Sequence, residues 1–311
     1  MKQWMMLGAA LVLCACSSLN KNTVSYHMNK YDVDKYYVVA GEGKDKQEAS
    51  QNALANLRRD IEKHAPNAQA QGILEDLVAN SEVDQVWRDK DAAQKHYYAL
   101  AVLRRDHAHQ ILAPQLDAAD AQLKGLAAQF STPADPLADL RIAYRMQPLV
   151  TRRTDLDEAY QFLSVDRASY QPEVFAPYKN ALKEKMSAVL VGVDVQGKES
   201  KVMVTYVVDA LNKMGLGVVD LSDPDKVLTV DIQTDVEGYD SKTVEGLVWV
   251  SSSAAVSLID AQRNVTFARF NVYERAGTTR AADSLRRSMQ SAGQQAAQQI
   301  AVRLEAYLNT K

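Results

Sequence analysis

The residue types best suited to acid–base or metal chemistry do not gather into a recognisable motif. The chain has five histidines, and only Asp106-His107-Ala108-His109 places carboxylate and imidazole groups side by side. His107 and His109 are two positions apart, so they share a face on a strand and point apart on a helix. No third ligand stands at a spacing typical of a metal site. We therefore expect no bound metal.

Glycine and serine patterns also lack a catalytic signature. Gly41-Glu42-Gly43 is predicted to turn between a strand and a helix, but Lys46 stands where the dinucleotide fingerprint requires a third glycine. Ser251-Ser252-Ser253 falls in a predicted strand without a neighbouring histidine. The 39 acidic residues form no distinct pair for glycoside cleavage, and those near Asp231 are expected to face water along a strand. We predict no catalytic residue, no cofactor and a chain that is not an enzyme.

The two cysteines, Cys14 and Cys16, have the most informative surroundings. They follow an early Lys2 and an apolar run, Met5–Leu13, which suits a signal-peptide core but is too short to span a bilayer. Leu13-Cys14-Ala15-Cys16 resembles a bacterial lipobox, in which a small residue precedes the acylated cysteine. The resemblance implies a signal peptide over residues 1–15 and lipidation, palmitate included, at Cys16. An ordinary signal peptide with incidental cysteines is the alternative.

The residues after Cys16 predict where the chain is anchored. Ser17 replaces the aspartate that retains enterobacterial-type lipoproteins in the inner membrane, which implies the periplasmic face of the outer membrane. Residues 16–35 are polar and are predicted to be the lipidated cysteine and a tether that reaches at most about 60 Å. No apolar run is long enough for a transmembrane helix. The net charge of −3 and the pI near 6.0 do not favour a nucleic-acid partner.

A small β-α-β-β domain is predicted over residues 36–105. Its first strand begins at Tyr36, and Asp45 with Glu48 has the spacing of a capping box at the start of the helix. The strands Glu82–Arg88 and His96–Arg104 are expected to form a hairpin. The second of these is apolar at every central position, which is typical of a strand covered on both faces.

Part of this domain resembles a known family. Tyr37-Val38-Val39-Ala40-Gly41-Glu42-Gly43, followed by Lys46–Ala49 and Asn52–Ala55, is similar to the LPP20 lipoprotein family. The resemblance covers residues 36–105 and implies a strand, a glycine-rich turn and an alanine-rich helix in an envelope lipoprotein. It implies a link to flagellar or other envelope assemblies and carries over no catalytic residue.

Residues 106–185 are predicted to be a helical hairpin segment. The apolar positions from Leu112 to Phe130 recur at spacings of four and three, which gives a narrow seam for one partner helix. Pro114 marks either a kink or the true first turn, and a second helix is expected to end near Pro148. A short further helix and one that starts at Pro172 complete the segment. The seam either closes the hairpin or remains open to a partner protein.

Residues 186–311 predict a second α/β domain with the order β-α-β-β-β-β-α. Val227–Gln233 alternates apolar and polar residues, as a half-buried strand should. The element order resembles small domains of periplasmic assembly proteins such as the TolB N-terminal domain. The overall fold class is thus α+β, two small mixed domains joined by helices. Trp87 and Trp249 lie in strands, where they either anchor the core or offer an exposed contact to a glycan or protein.

These observations predict a non-catalytic lipoprotein on the periplasmic face of the outer membrane. It would act as a scaffold or accessory factor in an envelope assembly, with an envelope protein or peptidoglycan as its partner. The alternative is a regulator or activator of a membrane-bound cell-wall machine. A hydrolase is the third hypothesis, and it requires Asp, Glu or His side chains that converge in a cleft.

Overall fold

The computed structural model describes residues 23–66, 72–90, 95–132, 135–244 and 246–309. It confirms the α+β class, with helices and two separate sheets. The chain divides into two compact units. Unit 1 comprises the described residues of Met1–Asp117 together with Arg153–Tyr170, and unit 2 comprises those of Ala118–Arg152 and Gln171–Lys311.

Unit 1 is built on a three-stranded antiparallel sheet with the strand order β1-β3-β2. The predicted hairpin is present, and a short helix precedes it. The elements are α1 (Val24–Met28), β1 (Tyr36–Gly43), α2 (Lys46–His64), α3 (Ile73–Ala79), β2 (Glu82–Arg88), β3 (Tyr97–Arg104) and parts of α4 (Arg105–Ala127) and α5 (Pro136–Leu163).

Helix α2 starts as the capping-box spacing predicts. The Asp45 carboxylate accepts a hydrogen bond from the Glu48 backbone N–H at 2.9 Å, and the Glu48 carboxylate accepts one from the Lys44 N–H at 2.7 Å. These bonds satisfy N–H groups that the first helical turn cannot pair internally. The buried face of the helix carries Ala49, Ala53, Leu57 and Ile61.

The predicted turn at Gly41-Glu42-Gly43 is wrong, because β1 continues through all three residues. Gly41 pairs with Ala99 and Gly43 with Tyr97 in the ladder between β1 and β3. Their role is close packing, since a Cβ on Gly41 would lie 2.0 Å from the Ala53 backbone nitrogen. The glycines therefore let α2 approach the strand at backbone distance.

Strand β3 is covered on both faces, as its continuous apolar run predicts. Ala99, Ala101 and Leu103 face α2, while Leu100 and Val102 belong to the opposite face, which we call the outer face of this sheet. Each of these five side chains is buried. The central strand thus carries apolar residues at successive positions rather than at alternate ones.

The predicted helix end near Pro148 is also wrong. Helix α5 runs without interruption from Pro136 to Leu163 and includes Pro148, just as α4 includes Pro114 well past its first turn. A proline removes one backbone donor from a helix but does not forbid it when packing holds the flanking turns. Near Pro148, the Thr151 hydroxyl donates to the Gln147 carbonyl at 3.1 Å.

The two long helices explain why the units differ from the sequence-based boundaries 36–105, 106–185 and 186–311. Leu112, Leu116 and Leu156 are buried in the core of unit 1, whereas Leu123 and Leu140 belong to the core of unit 2. The helical segment therefore contributes to both cores and does not form a body of its own. The predicted α4 seam is buried within the chain.

Unit 2 has the predicted order β-α-β-β-β-β-α after a preceding helix. Its sheet has the strand order β5-β4-β6-β7-β8, in which β4 is parallel to β5 and β6 and the remaining pairs are antiparallel. The elements are α6 (Pro172–Ser187), β4 (Leu190–Gly197), α7 (Ser200–Lys213), β5 (Gly217–Val219), β6 (Leu228–Val244), β7 (Leu247–Asp260), β8 (Val265–Thr278) and α8 (Ala281–Asn309).

The strands of unit 2 present an apolar face to α8 and a polar face away from it. The Ser252 and Ser288 hydroxyls share a hydrogen bond of 2.6 Å that ties β7 to α8. Helix α8 buries a stripe of apolar side chains at helical spacing, Met289, Ala292, Ala296, Ile300 and Leu304. The opposite face, which we call the outer face of this sheet, carries Asp235, Ala255, Asn271 and Tyr273, and all four are exposed.

Candidate functional site

Residues 23–35, which we call the strap, lie on the outer face of the unit 1 sheet. The His27 ring stacks on Trp87 with 4.0 Å between ring centroids, and Trp87 stacks in turn on Tyr98 at 5.5 Å. His27 Nδ1 lies 2.7 Å from the Gln85 side-chain oxygen. Because α1 has no buried residue, aromatic stacking and side-chain hydrogen bonds hold it in place.

Tyr31 is the second attachment point of the strap. Its hydroxyl donates a short hydrogen bond to the Asp84 carboxylate and accepts one from Gln85 Nε2 at 3.0 Å. Burial, together with the hydrogen bond to Asp84, raises the pKa of Tyr31 to about 12. The ring meets Tyr36 edge to face at 5.8 Å.

The last residues of the strap are fixed by the backbone. The Arg105 N–H donates to the Lys35 carbonyl at 2.9 Å, and the Arg105 guanidinium donates to the Val33 carbonyl at 2.9 Å. The prediction that residues 16–35 form a tether is therefore wrong for the described residues 23–35. These residues are part of unit 1.

Two cavities flank the strap, and Tyr31 and Tyr36 line both of them. The first has a volume of about 620 Å³ and the second about 590 Å³. The first is lined by Lys30, Arg104, Glu82 and Asp84 among others, and the second by Met28, Asn29, Val33, Val38 and Arg105 among others. We call the two cavities together the strap groove.

The strap groove has the chemistry of a binding surface. Its Arg104 already holds Asp106 at 2.6 Å, and Asp84 already accepts the Tyr31 hydrogen bond. Its aromatic walls and mixed charges suit a polar ligand or a peptide segment. Its cations and carboxylates are not arranged as a nucleophile held by a base.

The histidines singled out in the sequence do not converge. His107 and His109 lie on α4, so their side chains point apart. His109 stacks on Tyr160 and its Nε2 lies 3.1 Å from the Ser164 hydroxyl, while burial lowers its pKa. His64 stacks on Phe162. No group of three metal-ligating side chains occurs within the described ranges.

The serine triplet and the second tryptophan lie in unit 2. Ser252 is buried against α8, while Ser251 and Ser253 are on the outer face of the sheet beside a cavity of about 230 Å³. The Trp249 ring lies directly over Gly277. It is so close that a Cβ at position 277 would come within 2.7 Å of the indole ring. Trp249 is thus on the outer face, while Trp87 contacts the strap.

The predicted lipidation site falls outside the described residues. Cys14 and Cys16 both precede Thr23, and so does the predicted signal peptide. Within the part of the chain that the structure describes, no helix is both long and apolar enough to cross a membrane.

Comparison with solved structures finds chains named as secreted proteins or lipoproteins. A secreted protein from Helicobacter pylori aligns over 88% of this chain and 99% of its own, at 15% identity and a TM-score of 0.41. A minor lipoprotein from Acinetobacter baumannii aligns over 37% and 92%, at 10% identity and a TM-score of 0.30. A lipoprotein from Neisseria meningitidis aligns over 36% and 96%, at 15% identity and a TM-score of 0.25.

These likenesses are too distant to assign a family or an activity. No family model matches the chain, and no curated protein matches it.

Sequence reasoning missed the strap and its groove. The available signal was the aromatic content of the supposed tether, since Tyr26, His27 and Tyr31 are unusual in a solvated linker. Each of these rings contacts another ring in unit 1 or in the strap itself.

Proposed function

We propose that the chain is a non-catalytic lipoprotein of the LPP20 type, anchored through Cys16 to the periplasmic face of the outer membrane. It would serve as an accessory factor that contacts an envelope protein or the cell wall through the strap groove. The docked strap carries this proposal, because it places a binding groove directly after the predicted anchor.

The number of residues between Cys16 and the strap limits the distance between the membrane and the strap groove. Six residues separate Cys16 from Thr23, the first described residue, and even fully extended the seven Cα–Cα steps span at most about 25 Å. A docked strap therefore holds the groove near the membrane surface, where lipid anchoring raises the effective concentration of membrane-bound partners. The free tether predicted from the sequence would allow about twice that reach.

Acylation is tested by metabolic labelling with palmitate in a bacterium that has an outer membrane. The full chain should incorporate label and fractionate with the outer membrane. Cys16→Ala should lose both properties. Cys14→Ala is the matched control, because Cys14 leaves with the signal peptide, and it should retain both. Label in Cys16→Ala, or an unmodified Cys16 thiol in the purified chain, would contradict the anchor.

The groove is tested by photo-crosslinking in cells. A photoreactive amino acid at Lys30 stands in the groove, and one at Lys63 stands exposed on α2, on the other side of the unit 1 sheet. Position 30 should capture a reproducible envelope component that position 63 does not. Identical products from the two positions would mean that the groove is not the contact surface.

A further inference from the structure

The outer face of the unit 2 sheet holds a cluster of polar and aromatic side chains that the strap groove does not involve. Ser251, Ser253, Tyr273 and Arg275 line the cavity of about 230 Å³ together with Ser252 and Glu274, which pair with each other and belong to the opposite face of the sheet. Adjacent strands bring them together, since β7 and β8 pair Ser251 with Arg275 and Ser253 with Tyr273. A rigid antiparallel ladder, rather than a loop, thus sets their spacing.

Arg275 is the cation of this cluster. Its guanidinium lies 4.9 Å from the centre of the Trp249 ring, in a cation–π contact. The ring itself rests on Gly277, where only a residue without a side chain leaves room. Among the described residues, no carboxylate forms an ion pair with Arg275. Stacking therefore orients the guanidinium and leaves its N–H groups available.

The hydroxyls beside Arg275 are also available. Ser251 and Ser253 make no side-chain hydrogen bond within the described ranges, in contrast to Ser252, which is bonded to Ser288. Tyr273 is 67% exposed, which leaves its ring face and its hydroxyl open to solvent. Exposed amide and carboxylate side chains, Gln233, Asp235 and Asn271, lie on the same face of the neighbouring strands.

We infer that this cluster binds a sugar that carries a carboxylate. The Arg275 fork matches a carboxylate in two parallel hydrogen bonds. The serine hydroxyls match sugar hydroxyls or an acetamido group, and the Tyr273 ring gives an apolar face for a pyranose ring. An inorganic anion would use only the guanidinium, and a neutral sugar would leave it unpaired.

This inference goes beyond the proposed contact at the strap groove, because it concerns a separate surface in unit 2. The binding event depends on unit 2 alone, whose residues are the same whether or not Cys16 is acylated. Loss of palmitate labelling with intact sugar binding would therefore overturn the anchor only. Intact labelling without sugar binding would overturn this inference only.

N-acetylmuramic acid and N-acetylglucosamine form a matched pair of probes, because the former adds a lactyl carboxylate to the same ring. Titration of the full purified chain by calorimetry, with NMR of the Trp249 indole N–H, should show at least tenfold tighter binding of N-acetylmuramic acid. Lactate, which has the carboxylate without the ring, should also bind at least tenfold more weakly. Equal affinity for either comparison ligand, or no binding of N-acetylmuramic acid, would overturn the inference.

Substitutions of two arginines on β8 test whether the sugar binds at Arg275. Arg275→Gln should weaken binding of N-acetylmuramic acid at least tenfold, and Arg275→Lys should weaken it too, since an ammonium lacks the planar fork. Arg269→Gln removes an exposed arginine from the same face of β8, outside the cavity, and should change affinity less than twofold. Circular dichroism verifies that each variant is folded. Equal losses from Arg269→Gln and Arg275→Gln would indicate general electrostatic attraction and refute the site.

Discussion

The outer faces of the two sheets differ in polarity and in burial. In unit 1 the central strand places Leu100 and Val102 on that face, both are buried, and the strap lies on the same side of the sheet. In unit 2 the equivalent face carries the half-buried Ser251 and Ser253 and the exposed Tyr273 and Arg275. The difference shows that an apolar outer face requires a cover, whereas a polar one remains available for ligands.

The two units also differ in how closely a neighbouring element packs against a glycine, and one substitution in each unit tests this difference. Gly41→Ala in β1 would drive a Cβ into the Ala53 backbone, so we expect a loss of about 3 kcal/mol or more in the free energy of unfolding. Gly293→Ala in α8 would place a Cβ 2.8 Å from Tyr206 Cδ2 and 3.4 Å from Tyr206 Cβ, so that the Tyr206 side chain on α7 must shift, while alanine favours the helix.

We therefore expect Gly293→Ala to cost about 2 kcal/mol or less, and less than Gly41→Ala, because helix propensity offsets part of the overpacking. Urea unfolding measures the stability change of both variants, and hydrogen exchange of peptides from β1 and α8 measures the local protection at each site. A stable, well-protected β1 in Gly41→Ala would show that α2 does not pack on the strand at backbone distance.

Substitutions on the outer faces of the two central strands sharpen the comparison. Leu100→Ala in β3 removes a fully buried side chain and should cost about 2–5 kcal/mol. Ala255→Ser in β7 changes an exposed position and should stay within about 0.5 kcal/mol of the parent. Chemical denaturation measures the pair, and equal losses would mean that the two faces are covered alike.

The smallest expected effect concerns the strap at high pH. The pKa of Tyr31 is raised to about 12, above its unfolded value of about 10, so the proton that Tyr31 keeps stabilises the docked strap below pH about 10. That contribution is lost as the pH rises from about 10 through about 12.

Trp87 fluorescence should report the change, since His27 stacks on its ring. Tyr31→Phe should reduce this pH dependence and lower strap stability by about 1 kcal/mol, the contribution of a typical hydrogen bond. Part of the response should remain, because Tyr98 also stacks on Trp87 and burial raises its pKa. Tyr26→Phe, a control in the same segment, should retain the full response. An unchanged response in Tyr31→Phe would assign it to another group.

Periodicity predicted much of the fold, because the two sheets have distinct sequence patterns. The continuous apolar run of β3 gave the correct burial, and the alternation of β6 gave it from Val230 to Gln233 but not at Thr229, which is buried. Asp45 marked the start of α2, which the structure confirms. These signals are local, so a single sequence carries them.

The errors arose where tertiary packing overrides local preference. Pro148 has a strong tendency to end a helix, yet α5 continues through it. Gly41 and Gly43 are residues typical of turns, yet they lie within β1 and allow α2 to pack closely against that strand.

The candidate sites were harder to predict than the fold. The strap is short and largely polar, and beyond its aromatic residues it is distinguished from a linker by contacts with Trp87, Asp84 and Arg105. The Arg275 cluster was only partly foreseen, because an exposed Trp249 was one of two alternatives. Its partner residues come from a second strand, and register between strands is not a local signal.

The discontinuity of unit 1 has a consequence for biosynthesis. Leu156, Ala159 and Leu163 complete its core, but they follow a stretch of 35 residues, 118–152, that belongs to unit 2. During vectorial synthesis or export, unit 1 cannot close until residue 170 has emerged, although its sheet is finished at Arg104. A nascent chain arrested near residue 130 should therefore be sensitive to protease within unit 1, and one arrested well beyond residue 170 should be resistant.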